Sequence, residues 1–184
     1  NEPAHLQPQL CNNLHCRGLN SLNPETMNRI LILFAHPRLE KSRANRAMLA
    51  AIQSMEGVTV HDLYEHYPAF DIHIEKEKQL LTNHDIIIWQ HPFYWYSAPA
   101  LMKQWIDLVL EFGWAYGPGG NALKGKYIFS AITTGGNRAA YCEQGRNRCS
   151  VEQFLMPFRQ TATLCQMFTL PPWVTIPTST TQFT

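Results

Sequence analysis

Three stretches of the chain are apolar almost without interruption: Asn28–Ala35 (NRILILFA), Asp85–Trp89 (DIIIW) and Lys126–Thr133 (KYIFSAIT). β-Branched and aromatic residues dominate them, with no polar alternation. Runs of this length and type predict strands buried on both faces. Val58–Leu63 and Leu170–Ile176 predict two further short strands. A different period appears between them. Ser42 is a good N-cap for a helix running to about Met55, with Ala44, Met48, Ala51, Ile52 and Met55 as its apolar stripe and Gly57 closing it. Glu75–Asn83 reads as a short polar helix whose charge run is a solvated face. Ala98–Phe112 reads as a long helix, and Ser150–Met167 as a helix interrupted by Pro157. Tyr64–Ile74 and Gly113–Gly125 read as loops.

Strand and helix alternate, which implies a parallel sheet with helices on both faces. The pattern does not itself fix the strand order. Five strands at this spacing suit the flavodoxin-like order 2-1-3-4-5, an α/β three-layer sandwich. Residues 27–184 read as one domain. Residues 1–26 show no periodicity and are expected to be a disordered extension ahead of Met27.

Composition narrows the classes. The formal net charge is +1, so there is no general electrostatic case for binding nucleic acid. No apolar run approaches the ~20 residues of a membrane span, and no export signal is visible, so a cytoplasmic location is expected. The five cysteines, Cys11, Cys16, Cys142, Cys149 and Cys165, form no CxxC pair and read as reduced thiols. The histidines have no metal spacing such as HExxH, so no metal is expected. No GxSxG elbow supports a hydrolase.

The candidate chemistry gathers around Trp89–Phe112. Here a strand ending at Trp89 gives way to a loop, Gln90–Ser97, that contains Pro92-Phe93-Tyr94-Trp95-Tyr96, and then to a helix. Ligands bind at the carboxyl ends of strands in open α/β sheets. Consecutive aromatics at such a tip call for a cover, either a flat conjugated ring or a partner subunit. Packing in the core is the alternative. His36 and Ser42-Arg43-Ala44-Asn45 follow the first strand at a helix start. The free N–H groups and positive dipole end there favour a phosphate. An ordinary capped helix would have the same sequence, and neither GxGxxG nor a Walker A loop is present. Thr133-Thr134-Gly135-Gly136 follows the fourth strand. Its glycines let a backbone approach a ligand closely, and its hydroxyls can bond one; a simple turn reads equally well. All three loops fall at one edge of the expected sheet.

At these residues the chain resembles a known family. FAHP, SRAN, WQHPFYWYSAPALMKQWIDLVLEFGWAYGPGG and TTGG, in this order, are similar to the flavodoxin-fold NAD(P)H:quinone oxidoreductases. Within these, they most resemble the ancillary oxidoreductases of bacterial glutathione-gated potassium-efflux systems. The likeness runs from about Asn28 to Trp173. The resemblance implies FMN, a homodimer, and hydride transfer from NAD(P)H through FMN to a quinone. It implies an FMN phosphate loop of His36, Ser42, Arg43, Ala44 and Asn45. It implies ring-binding loops of Phe93, Tyr94, Trp95 and Tyr96 and of Thr133, Thr134, Gly135 and Gly136. Tyr141 falls at the position of a catalytic tyrosine near the flavin, and Tyr116 at that of a residue lining the substrate pocket across the dimer. A potassium-efflux transporter is the implied partner, with a peripheral place at the inner membrane. Two departures stand out. Asn147 occupies the place of a histidine and cannot titrate, so Tyr141 is expected to act alone or with Arg146. The family's final helix is expected to be missing. The rival expectations are a non-catalytic regulatory subunit of the transporter, a flavodoxin-type electron carrier, and an azoreductase or nitroreductase.

Overall fold

The computed structural model describes residues 28–177. The expected N-terminal extension, Cys11 and Cys16, and the end of the chain where a final helix was expected to be missing lie outside the described residues. Four main strands form the sheet: β1 (Ile30–Phe34), β2 (Val58–Asp62), β3 (Ile86–Pro92) and β4 (Tyr127–Thr133). Two short strands complete it, β5 (Phe168–Thr169) and β6 (Trp173–Thr175). The order is β2-β1-β3-β4-β5, with β6 also on β4, and every ladder is parallel. The expected order is therefore observed, with one correction. The Leu170–Ile176 stretch is not one strand. Thr169 pairs with Ile128 and Trp173 with Ala131, and the ladder breaks between them at Leu170-Pro171-Pro172. Proline cannot donate to a ladder.

Among the described residues six α-helices connect the strands: α1 (Arg43–Ile52), α2 (Leu63–His66), α3 (Ile74–Thr82), α4 (Ala100–Val109), α5 (Val151–Phe154) and α6 (Met156–Leu164). Ser42 caps α1, its Oγ accepting from the Asn45 N–H. The loop expected after β2 instead begins with the helical turn α2, because the Asp62 carboxylate accepts from the Tyr64 and Glu65 N–H groups. The expected Ser150–Met167 helix is divided at Leu155 into α5 and α6, with Pro157 in the first turn of α6 and a Ser150–Gln153 capping box opening α5.

Strand register puts Leu31, Leu33, Ile87, Trp89, Ile128 and Ile132 on one face, where they meet Leu81 of α3, Trp105 of α4 and Phe158 of α6 in the core. The other face carries Ile32, Phe34, Gln90 and Thr133, and Asn45 of α1 bonds to it.

A second correction concerns α3. Its charge run is not wholly solvated. Glu77 is 1% exposed. Its carboxylate accepts from Tyr67 Oη at 2.6 Å and Trp105 Nε1 at 2.7 Å, and pairs with His61 Nε2 at 2.8 Å. This one group ties β2, α3, α4 and the turn after α2. Outside it, Lys78 bridges Glu75 and Glu111 and lies 5.5 Å from the Trp114 ring.

Candidate functional site

The site lies at the carboxyl edge of the sheet, where β1, β3 and β4 end. The first loop runs from His36 to α1. His36 is nearly buried. Its Nδ1 accepts from the Arg38 N–H at 3.1 Å, so the hydrogen of the neutral ring sits on Nε2 and is free to donate. Burial holds the His36 pKa below its ordinary value, against the pull of Glu40. At the start of α1, Ser42 Oγ takes the Asn45 N–H and Ser42 O takes the Arg46 N–H. The N–H groups of Arg43 and Ala44 have no partner among the described residues. They are the orphan donors that a helix N-terminus presents to an anion.

Asn45 is put to another use. It is fully buried. Its Nδ2 donates to Ser42 Oγ and to Thr133 Oγ1, both at 3.0 Å, and its Oδ1 accepts from Gln90 Nε2 at 3.3 Å. One side chain thus joins the phosphate-type loop, the core of β3 and the end of β4. Thr133 accordingly spends its hydroxyl on Asn45. The sequence spacing of 88 residues between them hides this link.

The second loop is aromatic. Trp95 and Tyr96 take successive positive φ values, 48° and 62°. Bulky residues rarely adopt this left-handed region, and each such residue stores of order 1–3 kcal/mol. The result is a stiff tip with Trp95 93% exposed. The Trp95 and Tyr96 N–H groups have no partner among the described residues. Tyr94 meets the His36 ring edge-on at 6.1 Å, which brings the first two loops together. Phe93 N–H bonds Thr133 O at 2.8 Å, which fixes the second loop to the third.

The third loop turns at Thr134–Gly136, where Thr134 Oγ1 donates to Gly136 O at 3.0 Å. The Gly135 N–H group is also unpartnered among the described residues, whereas the Gly136 backbone engages the Tyr141 hydroxyl. A Cβ on Gly135 would meet nothing within 4 Å, whereas one on Gly136 would meet the Tyr141 ring and hydroxyl at 3.1 and 3.3 Å. Tyr141 therefore lies directly against the loop. Burial raises its phenol pKa, with Gly136, Thr134 and Arg146 pulling the other way.

Two residues not singled out as site residues from the sequence join the cluster. Phe154 stacks on Tyr96 at 4.9 Å and touches Phe93 at 5.7 Å. Asn147 Oδ1 accepts from Tyr96 Oη at 3.3 Å. The residue standing in the histidine position thus engages the aromatic loop. Tyr116 stands apart. Its neighbours are Phe112, Gly113 and Gly120.

The 139–147 turn that carries Tyr141 depends on Gly145. A Cβ there would lie 2.3 Å from Ala139 O and 2.8 Å from Ala140 O, both backbone. Gly145→Ala is expected to cost about 1–3 kcal/mol by overpacking and to speed amide exchange across 139–147. Unchanged exchange would show that the turn absorbs the methyl group.

Five unpartnered N–H donors on three joined loops, beside exposed aromatic rings, fit an anionic ligand with a flat conjugated ring. FMN meets that description at both ends. Among the described residues no group of three or more His, Cys, Asp or Glu could hold a metal ion, and no helix is long and apolar enough to cross a membrane.

Comparison with known proteins agrees with this geometry. A glutathione-regulated potassium-efflux system ancillary protein KefG from Pectobacterium carotovorum is 52% identical over 146 residues, covering 79% of this chain and 80% of the relative. The crystal structure of general stress protein 14 in complex with FMN, from Treponema denticola, is 41% identical with a TM-score of 0.78, covering 79% of this chain and 84% of that one. An NADPH-quinone reductase from P. pentosaceus is 36% identical with a TM-score of 0.73, covering 79% and 83%. The family described as flavodoxin-like fold matches residues 28–182, and the chain belongs to that family.

Proposed function

We propose that this chain is an FMN-dependent NAD(P)H:quinone oxidoreductase that serves as an ancillary protein of a glutathione-regulated potassium-efflux system. The observation that carries the reading is the set of unpartnered N–H groups on Arg43, Ala44, Trp95, Tyr96 and Gly135 at one sheet edge. The FMN complex and the quinone reductase among similar structures support the cofactor and the reaction. The ancillary proteins among its relatives support the partner.

Bound FMN would supply the two-electron redox chemistry. The chain supplies binding and electrostatics. Arg43 and Ala44 N–H, with His36 Nε2–H, would hold the phosphate. Tyr94, Trp95 and Tyr96 would cover the ring and exclude water from it. The Gly135 N–H, with the Tyr141 hydroxyl held against Gly136, would offer fixed donors to the ring edge of bound FMN, the same physics as an oxyanion hole. Tyr141 is protonated at neutral pH, as any phenol is, and burial raises its pKa further, so its hydroxyl would be available to donate a hydrogen bond beside Gly136. A Tyr–His proton relay has no place here, since Asn147 cannot titrate. Arg146 supplies the positive field near Tyr141. A homodimer, across which Tyr116 would line the acceptor pocket, would cover the exposed Trp95 and Phe112.

The test is the visible spectrum of the full chain with added FMN, then anaerobic NADPH, then quinone. Uptake of FMN, bleaching and recovery are the expected sequence. FMN that binds but does not bleach would leave only the ancillary role, and failure to bind FMN would sink the reading of all three loops. Tyr141→Phe is expected to slow turnover about tenfold, the worth of one hydrogen bond in the transition state, with FMN affinity unchanged. An unchanged rate would remove Tyr141 from the mechanism.

A further inference from the structure

The turn that carries Tyr141 also carries charge. Arg138, Arg146 and Arg148 lie on it, all exposed, with Glu143 as its one carboxylate. Among the described residues none of these four side chains is in an ion pair. Three guanidiniums so close in sequence repel one another, and no described carboxylate is paired with them to offset this.

The turn is closed on itself. The Tyr141 N–H donates to Arg138 O at 3.1 Å, the Asn147 N–H to Ala140 O at 3.0 Å and the Arg148 N–H to Gly145 O at 3.1 Å. Arg148 takes a positive φ of 55°, a conformation that costs a side chain of this size and persists where the surroundings impose it. Gly145 lies against the Ala139 and Ala140 carbonyls. Arg138 is thus on one arm of the turn, and Arg146 and Arg148 are on the other. Two contacts fasten the turn to the candidate site. Asn147 Oδ1, between the two arginines of its arm, accepts from Tyr96 Oη at 3.3 Å, and the Tyr141 ring lies 3.1 Å from where a Cβ on Gly136 would be. Arg146 is close enough to act on the Tyr141 hydroxyl, so it already has a use at the site. Arg138 and Arg148 have none.

The other exposed cations near the site, Arg38, Lys41, Arg43 and Arg46, surround the first loop, where orphan N–H groups and His36 answer the phosphate of FMN. The arginine turn follows β4, and β3 lies between β4 and β1 in the sheet. It therefore flanks the ring end of the site, where the electron donor must arrive. That donor brings its own anions. NADH and NADPH share a pyrophosphate of two singly charged groups. NADPH adds a 2′-phosphate, a monoester that carries close to two negative charges at neutral pH. Guanidinium forks match phosphate oxygens in pairs, and a dianion suits more than one of them.

We infer that Arg138 and Arg148 bind the 2′-phosphate of NADPH, with Arg146 completing a cationic rim, and so make NADPH rather than NADH the electron donor. The inference rests on the proposed FMN-dependent reaction and adds the choice of donor to it.

The probe is adenosine 2′,5′-bisphosphate, which carries the 2′-phosphate and no nicotinamide, with 5′-AMP as the comparator. Each is titrated calorimetrically into the full chain saturated with FMN, whose uptake is read first from its visible spectrum. The bisphosphate is expected to bind at least about tenfold more tightly, with the ratio narrowing as salt is raised. The Arg138→Gln/Arg148→Gln double variant is expected to take up FMN, to bind 5′-AMP as before and to bring the ratio within about threefold of one. Lys41→Gln, on the first loop, is expected to leave the ratio unchanged. A wild-type ratio near one would overturn the inference. So would equal weakening of both nucleotides in the double variant, which would assign the arginines to the part the nucleotides share, or a ratio lost in Lys41→Gln instead. A chain that takes up no FMN would overturn the flavin reading and this inference together, whereas one that takes up FMN without telling the nucleotides apart would overturn the choice of donor alone.

Discussion

Replacing Glu77 by alanine is expected to remove about 3–5 kcal/mol of folding stability, the usual cost of breaking a buried ionic group by deleting one partner. A domain of this size has roughly 5–15 kcal/mol to lose. The Tyr67 hydroxyl, the Trp105 indole N–H and the His61 ring would all lose their buried acceptor at once, and water cannot easily replace a group that is 1% exposed. Glu77→Gln keeps an acceptor and is expected to cost less. The pH dependence follows from opposing effects. Burial acts to raise the Glu77 pKa, but the hydrogen bonds from His61, Tyr67 and Trp105 outweigh it and hold the group below its ordinary 4.5. A depressed carboxylate stabilises the fold fully above the unfolded pKa and loses that contribution as pH falls through the folded one. Urea midpoints should therefore separate wild type from Glu77→Gln at neutral pH and converge below about pH 4. A constant gap down to acid pH would show that the network does not depend on the charge.

Asn45→Ala is expected to weaken FMN about ten- to hundredfold and to cost about 1–3 kcal/mol of stability by leaving buried groups unpaired. The argument is positional. Asn45 touches Ser42, Gln90 and Thr133, so its loss frees the α1 terminus to move relative to the Thr133–Gly136 loop. A ligand that needs both loops then binds to fewer correctly placed molecules. Flavin fluorescence titration gives the affinity, and urea unfolding of the FMN-free chain gives the stability. Ser42→Ala is the comparator: it removes a cap worth about 0.5–2 kcal/mol and leaves the Asn45 bridge to Thr133. Affinity for FMN that survives Asn45→Ala would mean that each loop holds its shape unaided.

Local signals in the sequence were enough for β1, β4 and the Ile86–Trp89 part of β3, because each is a buried run with one period and no breaker; Gln90–Pro92 read as loop but continues β3 by pairing with Ala131–Thr133. They were enough for the α1 start, because Ser42 is a cap whose partner is three residues away. They failed where two elements meet. Glu77 looks like any other charge on a polar helix until Tyr67, Trp105 and His61 are folded onto it. Asn45 looks like a ligand donor because nothing nearby in sequence says that Thr133 and Gln90 will claim its amide. Leu170–Ile176 reads as one strand by composition, yet its two prolines divide it. The three loops of the candidate site were legible one by one as ligand-type sequences. That they are fastened together, His36 to Tyr94 and Phe93 to Thr133, is a property of the folded chain.

The Pro171–Pro172 break has a consequence for how the protein survives in a crowded solution. Phe168–Thr175 (FTLPPWVT) holds two exposed aromatics, Phe168 and Trp173, on short strands whose one ladder partner is β4. Without its prolines this segment would combine high β-propensity, no charge and an open edge, the profile of a stretch that recruits strands from other molecules. Two adjacent residues with no N–H cannot continue such a ladder. The two prolines that interrupt the ladder therefore make the segment a poor template for aggregation.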